Sequence, residues 1–239
     1  MLVKADIHIH TCLSPCAEIT QSPKRVVEKA YNCGLKMIFI TDHNSAENTG
    51  YALKAANKFD DFNAYPGMEI TSKEEVHTLA LFEHLKDVLK AQEYIFRFLP
   101  DAHDAREYEV QIIANEDDEV EGYSKKSLYS SVNLKVEEII DLIHQNNGLA
   151  VAAHVDRPSF SVISQLGFIP DSLKYDALEI SPNLTFDKAR EIYIEYKKYK
   201  LIKGSDSHNL DMIGKVYTTF EGTNNFVDFK NNLKNPDIC

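Results

Sequence analysis

Cationic side chains are in short supply. Against 37 aspartates and glutamates the chain sets only 26 lysines and arginines, a formal charge of −11. This disfavours a binder of duplex backbone, whose affinity comes mainly from cationic contacts with phosphates. Cysteine is sparse too: Cys12, Cys16, Cys33 and Cys239 lack the paired spacing of a zinc finger. Cys12 and Cys16 could form a disulfide or offer a thiolate, but in a reducing compartment free, partly buried thiols are expected. No apolar run approaches the length of a membrane span, and no glycine-rich phosphate loop is present. The run Met1–Asp6 enters the first motif almost at once and is read as leaving no room for a signal peptide. The cytoplasm is therefore the expected compartment, with no membrane partner. At 239 residues the chain fits one large domain, 1–239, with a substantial core.

What is there starts with Ala5–Thr11, Ala-Asp-Ile-His-Ile-His-Thr. On a strand, Asp6, His8 and His10 would share one face and Ile7 and Ile9 the other. Two imidazoles converging on one point are typical ligands for zinc, iron or manganese, and the bland alternative is a strand with exposed histidines. A helix start follows, with Ser22 as N-cap and Pro23 at the first helical position, running to Cys33 and stopped by Gly34. Leu35–Thr41 is an apolar strand ending in Asp42-His43-Asn44. Ala46–Phe59 reads as helix, Asn63–Ile70 as a strand ending near Glu69, Glu74–Phe82 as a strand with His77 near its start, and Leu85–Leu99 as helix.

From Pro100 to Val132 the pattern weakens, and residues 100–133 are expected to form an inserted irregular segment, a hairpin or cap. Its acidic run, Glu116–Glu121, is read as solvated surface. Val136–Asn147 is an amphipathic helix expected to stop at Gly148. The strand Leu149–Ala153 then ends at His154-Val155-Asp156-Arg157. Ala177–Ile180 is a short strand, Phe186–Tyr196 a helix, and Leu201–Lys203 a strand leading into Ser205-Asp206-Ser207-His208. Val216–Phe220 and Phe226–Leu233 close the chain as strand and helix. Strands alternating with helices imply an α/β, mainly parallel sheet. Ligand candidates at nearly every strand end favour a closed barrel over an open doubly wound sheet.

Six of the nine histidines, His8, His10, His43, His77, His154 and His208, fall at or beside these strands with Glu69 and Asp206. His84, His103 and His144 are read as structural or solvated. In this order of motifs the chain resembles the polymerase-and-histidinol-phosphatase (PHP) family of metal-dependent phosphoesterases. That resemblance implies a distorted (β/α)7 barrel holding two or three divalent metals, zinc, manganese or iron. On matching positions, His8, His10, Glu69 and Asp206 would hold one ion. Glu69 would bridge to a second, completed by His77 and His154, and His43 with His208 would hold a third. The match fails at Pro15, where many members place an aspartate. The third site is then weak or absent, or Cys16, Cys12 or Glu18 replaces the missing carboxylate; the favoured reading is a weakened site filled by a labile ion.

The chemistry implied is phosphate-ester hydrolysis by a metal-activated water. Asp206 would orient or deprotonate the water, and His208 or His154 would protonate the leaving group if not locked onto metal. Arg157 is the candidate for gripping phosphate, its alternative being a surface ion pair with Asp156. Asp6 and Asp42 are expected to orient ligand histidines. A small phosphomonoester is the leading substrate class and no duplex nucleic acid is expected. A nuclease or nucleotide phosphodiesterase, a non-catalytic metal-binding accessory module and an amidohydrolase-like deacylase remain as alternatives.

Overall fold

The computed structural model describes residues 1–102 and 110–234. In chain order the elements are β1 (Leu2–Ile9), α1 (Pro23–Asn32), β2 (Met37–Ile40), α2 (Thr49–Ala56), β3 (Asn63–Thr71), β4 (His77–Leu81) and α3 (Leu85–Ile95). A hairpin, β5 (Ile112–Ala114) and β6 (Val120–Tyr123), leads into α4 (Val136–Gln145). Then come β7 (Leu149–Ala152), α5 (Val162–Leu166), β8 (Ala177–Glu179), α6 (Phe186–Ile192), β9 (Lys200–Ile202), β10 (Thr218–Glu221) and α7 (Phe226–Leu233). Ser22 accepts the Arg25 amide at the head of α1 and Asn225 accepts that of Asp228 at the head of α7. These caps satisfy N–H groups that have no partner within the helix.

One eight-stranded sheet runs β10-β1-β2-β3-β4-β7-β8-β9, and β5-β6 form a separate ribbon. The segment beyond β9 returns to the end of β1, where Ile9 bridges Ser207 in parallel and the His10 amide donates to the Ser207 carbonyl at 3.2 Å. That closes the sheet into a ring, with β10 appended antiparallel to Leu2–Ala5 at the other end of β1. The architecture is the distorted α/β barrel that the resemblance implied.

Four pairings are parallel, β1-β2, β2-β3, β7-β8 and β8-β9. The pairs β3-β4 and β4-β7 are antiparallel because only the short turn from Ser72 to Val76 joins β3 to β4, too short for a parallel crossover. The reversal places the start of β4 beside the end of β3, with His77 opposite Thr71. A histidine at a strand's start therefore reaches the rim where the other strands end.

Ala5, Ile7, Met37, Phe39, Leu79, Leu81, Val151, Ala177 and Ile202 come from strands all round the ring, yet share one buried cluster, the barrel interior. Phe226 and Phe229 of α7 pack on Phe39 and close that end. The outer faces of the strands pack against helices: Met68, Ala80 and Ala152 with α3 and α4, Ile38 and Ile40 with α1 and α2.

Several expectations shift. Strict alternation in β1 fails, because Asp6 pairs with Ile38 and Ile9 with Ile40, so β1 carries one extra residue across this interval. The bulge sends Ile7 into the interior and Ile9 to the outer layer with α1, so the two isoleucines do not share a face. The helix expected over Ala46–Phe59 is confined to α2. Asn48 is drawn out of it, donating to Thr11 Oγ1 (2.8 Å) and the Ile112 carbonyl (3.1 Å) and accepting the Ala114 amide (3.0 Å). After α4 the left-handed turn is taken by Asn147 (φ 63°), not Gly148. Gly148 is required by crowding instead, since a Cβ there would lie 2.6 Å from the Phe82 ring. The expected irregular segment contains the β5-β6 hairpin, while His103 lies outside the described residues. Cys12, Cys16 and Cys33 are free thiols, but only Cys12 is buried, Cys16 and Cys33 being exposed; Cys239 is outside the described residues. Among the described residues no helix is long and apolar enough to cross a membrane.

Candidate metal centre

At the rim opposite α7 the strand ends bring His8, His10, His43, Glu69, His77, His154, Asp206 and His208 together, and of these His43, Glu69, His77, Asp206 and His208 line a cavity of about 370 Å3 with Arg157. Glu69, 1 % exposed, is at the centre. Its Oε1 lies 2.8 Å from His77 Nδ1 and 3.1 Å from His154 Nε2, its Oε2 3.1 Å from His43 Nδ1, and His8 and His10 each approach it at 3.4 Å. Asp206 Oδ1 stands 3.2 Å from His10 Nε2 and 3.4 Å from His8 Nε2.

Neighbouring groups fix which ring nitrogens face inward. Both carboxylate oxygens of Glu179 sit 3.0–3.1 Å from His8 Nδ1, so that nitrogen carries the proton and Nε2 turns its lone pair into the site. Ser14 Oγ donates to Asp42 (2.7 Å) and has no further proton to give, so His10 Nδ1, 3.0 Å away, donates to it and His10 Nε2 also faces inward bare. His208 Nδ1 donates to the Asp206 carbonyl at 2.8 Å. His8 Nε2 and His10 Nε2 then lie 3.2 Å apart with two carboxylates beside them. Lone pairs at this separation repel unless a proton or cation sits among them, and two imidazoles with bridging carboxylates are a donor set for divalent zinc, iron or manganese. The residues present fit such ions.

The metal-free electrostatics agree. Burial disfavours a charged His8, but Glu179, Asp206 and Glu69 outweigh it and hold His8 well above the usual histidine range. Burial alone would raise Glu69 and Asp206, yet surrounding histidines, His77 foremost for Glu69 and His8 for Asp206, keep both carboxyls well below the ordinary range. Burial pushes His43 well down and lowers His208. Burial, with the Glu69 carboxylate, pushes the Cys16 thiol up to about 12. A divalent cation reverses this logic by replacing protons on His8 and any ligating thiol.

The two supporting aspartates behave differently from each other. Asp42 accepts from the Thr11 amide and hydroxyl and from Ser14, and through Ser14 orients His10, as expected. Asp6 touches no imidazole ring, a correction that follows from the bulge. It accepts the Ser205 amide at 2.8 Å and holds the loop carrying Asp206. Arg157 does not pair with Asp156, whose oxygens are occupied by the Ser181 amide and hydroxyl at 2.6 Å. Its Nη2 reaches Asp206 Oδ2 at 2.5 Å instead. Of the candidates to replace a ligand at Pro15, Cys12 donates to the Ile112 carbonyl and Glu18 accepts from Thr20, whereas Cys16 lies in a group with His10, His43 and His208. Three site residues, His154 (φ 31°), Phe160 (φ 59°) and Asp206 (φ 48°), hold left-handed backbone, strain of the kind that collects at functional sites.

Sequence reasoning missed Glu179 and Phe160. Glu179 ends β8, so the strand-end rule that found the others would have found it. It also accepts the His154 amide at 3.0 Å, and Gly204 lets the chain pass: a Cβ there would lie 2.5 Å from His8 Cβ and 2.8 Å from Glu179 Oε1. Phe160 stacks on His77 (4.7 Å, 23°) and accepts its amide at 2.8 Å, a contact across a loop that left no periodic signal.

A barrel with convergent histidines and carboxylates at its rim defines a metallohydrolase-type centre. The PHP domain family model matches residues 6–216, and the chain belongs to the PHP domain family, whose members are metal-dependent hydrolases. Among solved structures it is similar to the lesion-specific endonuclease PfuEndoQ from Pyrococcus furiosus, at 20 % identity and TM-score 0.75, over 98 % of this chain and 56 % of that one. Endonuclease Q bound to a 27-mer duplex with an abasic lesion at its active site matches at 19 % identity and TM-score 0.74, over 96 % and 56 %. A protein assigned as a metal-dependent phosphoesterase from Bifidobacterium adolescentis matches at 18 % identity and TM-score 0.62, over 95 % and 94 %. The chain thus spans little more than half the length of the endonuclease chains, and at these identities the likeness is one of fold. No curated protein matches the sequence.

Two outcomes are expected. Glu179→Gln removes the charge that orients His8, and affinity for the most tightly held ion should fall about 10–100-fold in competition with a chromophoric chelator; unchanged affinity would remove Glu179 from the centre. Burial pushes Asp6 from 3.8 up to about 7. The folded state then holds a proton on Asp6 that the unfolded chain releases near 3.8, so the contribution of Asp6 to the stability of chelator-treated protein should fall as pH rises from 3.8 to about 7 and level off above. The loss is about 4 kcal/mol. Urea unfolding of Asp6→Asn beside the unsubstituted protein should show that slope reduced.

Proposed function

We propose that this protein hydrolyses a phosphate ester with water activated at the metal centre, and that its substrate is a small phosphomonoester. The observation that carries the reading is Glu69, whose two oxygens are shared among His77, His154 and His43 while His8 and His10 stand within 3.4 Å. A carboxylate shared in this way would serve two adjacent cation positions, with His77 and His154 on one side and His8 and His10 on the other. Divalent ions held there would acidify a bound water and stabilise attacking and leaving oxygens of an in-line displacement.

The chain's own groups do the rest. Asp206, kept ionised, orients the water and accepts its proton. Arg157, on the cavity wall with its fork already directed at Asp206, grips a non-bridging phosphate oxygen. His154 is engaged with Glu69 and His208 with the Asp206 carbonyl, so both are read as ligands, and the leaving oxygen takes its proton from solvent at the open mouth. PHP membership supports the hydrolase class, and the negative charge supports a small substrate over long nucleic acid.

One observation favours a nucleotide or a nucleic-acid end as a second reading. Phe160 and Tyr129, 41 % and 60 % exposed, stand on the walls of the same cavity, where aromatic faces can stack a base. The endonuclease Q likeness in fold points the same way, toward duplex DNA as a partner to be tested.

The test is turnover of p-nitrophenyl phosphate, its bis-ester, a short oligonucleotide, an abasic-site duplex and an acyl ester, before and after chelation and with zinc, manganese or ferrous ion restored. Metal-dependent turnover of the monoester is expected. Arg157→Ala should raise KM roughly 10-fold, the low end for a charge-assisted contact at a part-exposed site. Turnover of the acyl ester alone would contradict the reading. No bound metal and no turnover with any added ion would leave a barrel used for binding.

A further inference from the structure

Resting on the metal-centre reading above, we propose that Cys16 supplies a thiolate to a third cation position with His43 and His208, making that position a sulfur–nitrogen site that favours zinc, cobalt or ferrous ion over magnesium or manganese. Donor atoms of His10, Cys16, His43 and His208 all lie within 4.8 Å of one another. The rings confirm the convergence, with His10–His43 and His10–His208 centroids at 4.7 and 4.5 Å. His10 Nε2 is directed to the first position, beside His8 and Asp206, and His208 keeps Nε2 free of the bond its Nδ1 makes.

The loop that carries Cys16 is built to hold it there. The Cys12 amide donates to the Gln21 carbonyl (2.8 Å), the Ala17 amide to Ser14 (2.9 Å) and the Glu18 amide to the His208 carbonyl (2.9 Å). Gln21 Nε2 donates to the carbonyls of His10 (2.6 Å) and Ser207 (3.2 Å), and Tyr129 donates to that of Pro15 (2.8 Å). Cys16 is thus tied through its neighbours to the segments bearing His10 and His208. Of the loop's other side chains, proline offers no donor atom, Ser14 Oγ is taken up by Asp42, His10 and the His43 amide, and Glu18 accepts from Thr20 outside the group that Cys16 forms with the histidines. Cys12 and Cys33 face the carbonyls of Ile112 and Ile213 away from the cavity, while Cys16 lines it.

Thiolate with imidazole suits borderline and soft cations, whereas magnesium and manganese prefer oxygen. Ligation exchanges the S–H bond for a sulfur–metal bond and releases the thiol proton to solvent, one proton for each ion bound at this position.

The test is titration of chelator-treated full-length protein with cobalt(II), following the near-ultraviolet thiolate-to-cobalt charge-transfer band, with bound cobalt counted by elemental analysis. The band is expected in the unsubstituted protein and in Cys33→Ser, and lost in Cys16→Ser while cobalt at the His8–His10–Glu69 position is retained. Cys16→Asp should recover the lost equivalent without the band. Cobalt bound with no band, or a band that survives Cys16→Ser, overturns the thiolate ligand and leaves the hydrolase reading standing. Failure of the unsubstituted protein to bind any cobalt overturns both.

Discussion

The structure depends on one electrostatic constraint: His8 Nε2 and His10 Nε2 face each other at 3.2 Å, with Glu69 and Asp206 beside them, all four side chains buried, so that a proton or a cation must sit among them. Such a cluster is costly without a cation, since buried donors and acceptors lacking partners lose hydration without compensation. The supporting groups hold it all the same. Glu179 sets His8, Asp42 sets His10 through Ser14, and Asp6 holds the loop of Asp206. Gly204 gives His8 and Glu179 room to meet. The left-handed backbone at His154 and Asp206 belongs to the same arrangement, strain tolerated because the barrel around it is closed and packed.

The barrel serves this constraint through two departures from regularity. The reversed strand β4 delivers His77 to the rim from a strand's beginning, and the bulge in β1 lets Ile7 fill the interior while His8 and His10 still reach the site. Phe39, Phe226 and Phe229 pack together at the other end. Rim chemistry and interior packing are separated along the barrel axis, an arrangement in which loops can change specificity without disturbing the core.

Much of this is legible in the residues because the signals are local. Ser22-Pro23 marks a helix start through cap chemistry alone, and Phe226–Leu233 is bounded as periodicity predicts. The candidate site residues are legible because they stand beside apolar runs at strand ends, His77 excepted, which opens its strand. What is not legible depends on distant partners. Asn48 leaves its helix for Thr11 and Ile112, and Gly148 is fixed by the Phe82 ring rather than by a turn. The β1 bulge defeats a period-two reading that assumes an unbroken ladder. Glu179 is legible by position, at the end of β8, but its role is not, because its carboxylate acts through His8 from another strand. Arg157 could be placed near His154 from spacing, but its choice of Asp206 over Asp156 rests on Ser181, twenty-five residues on.

PHP membership places the chain among metal-dependent hydrolases, and the walls of the cavity, Phe160 and Tyr129 among them, are where the proposed substrate would rest. The central claim is that cations occupy the convergence point of His8, His10, Glu69 and Asp206. Its most direct test is anomalous X-ray scattering from crystals of protein purified without chelator, with data on either side of the zinc, manganese and iron absorption edges. The account predicts an edge-dependent peak among those four side chains and a second beside Glu69 toward His77 and His154. Clear density for an ordered site with no anomalous peak after soaking in each ion would contradict it.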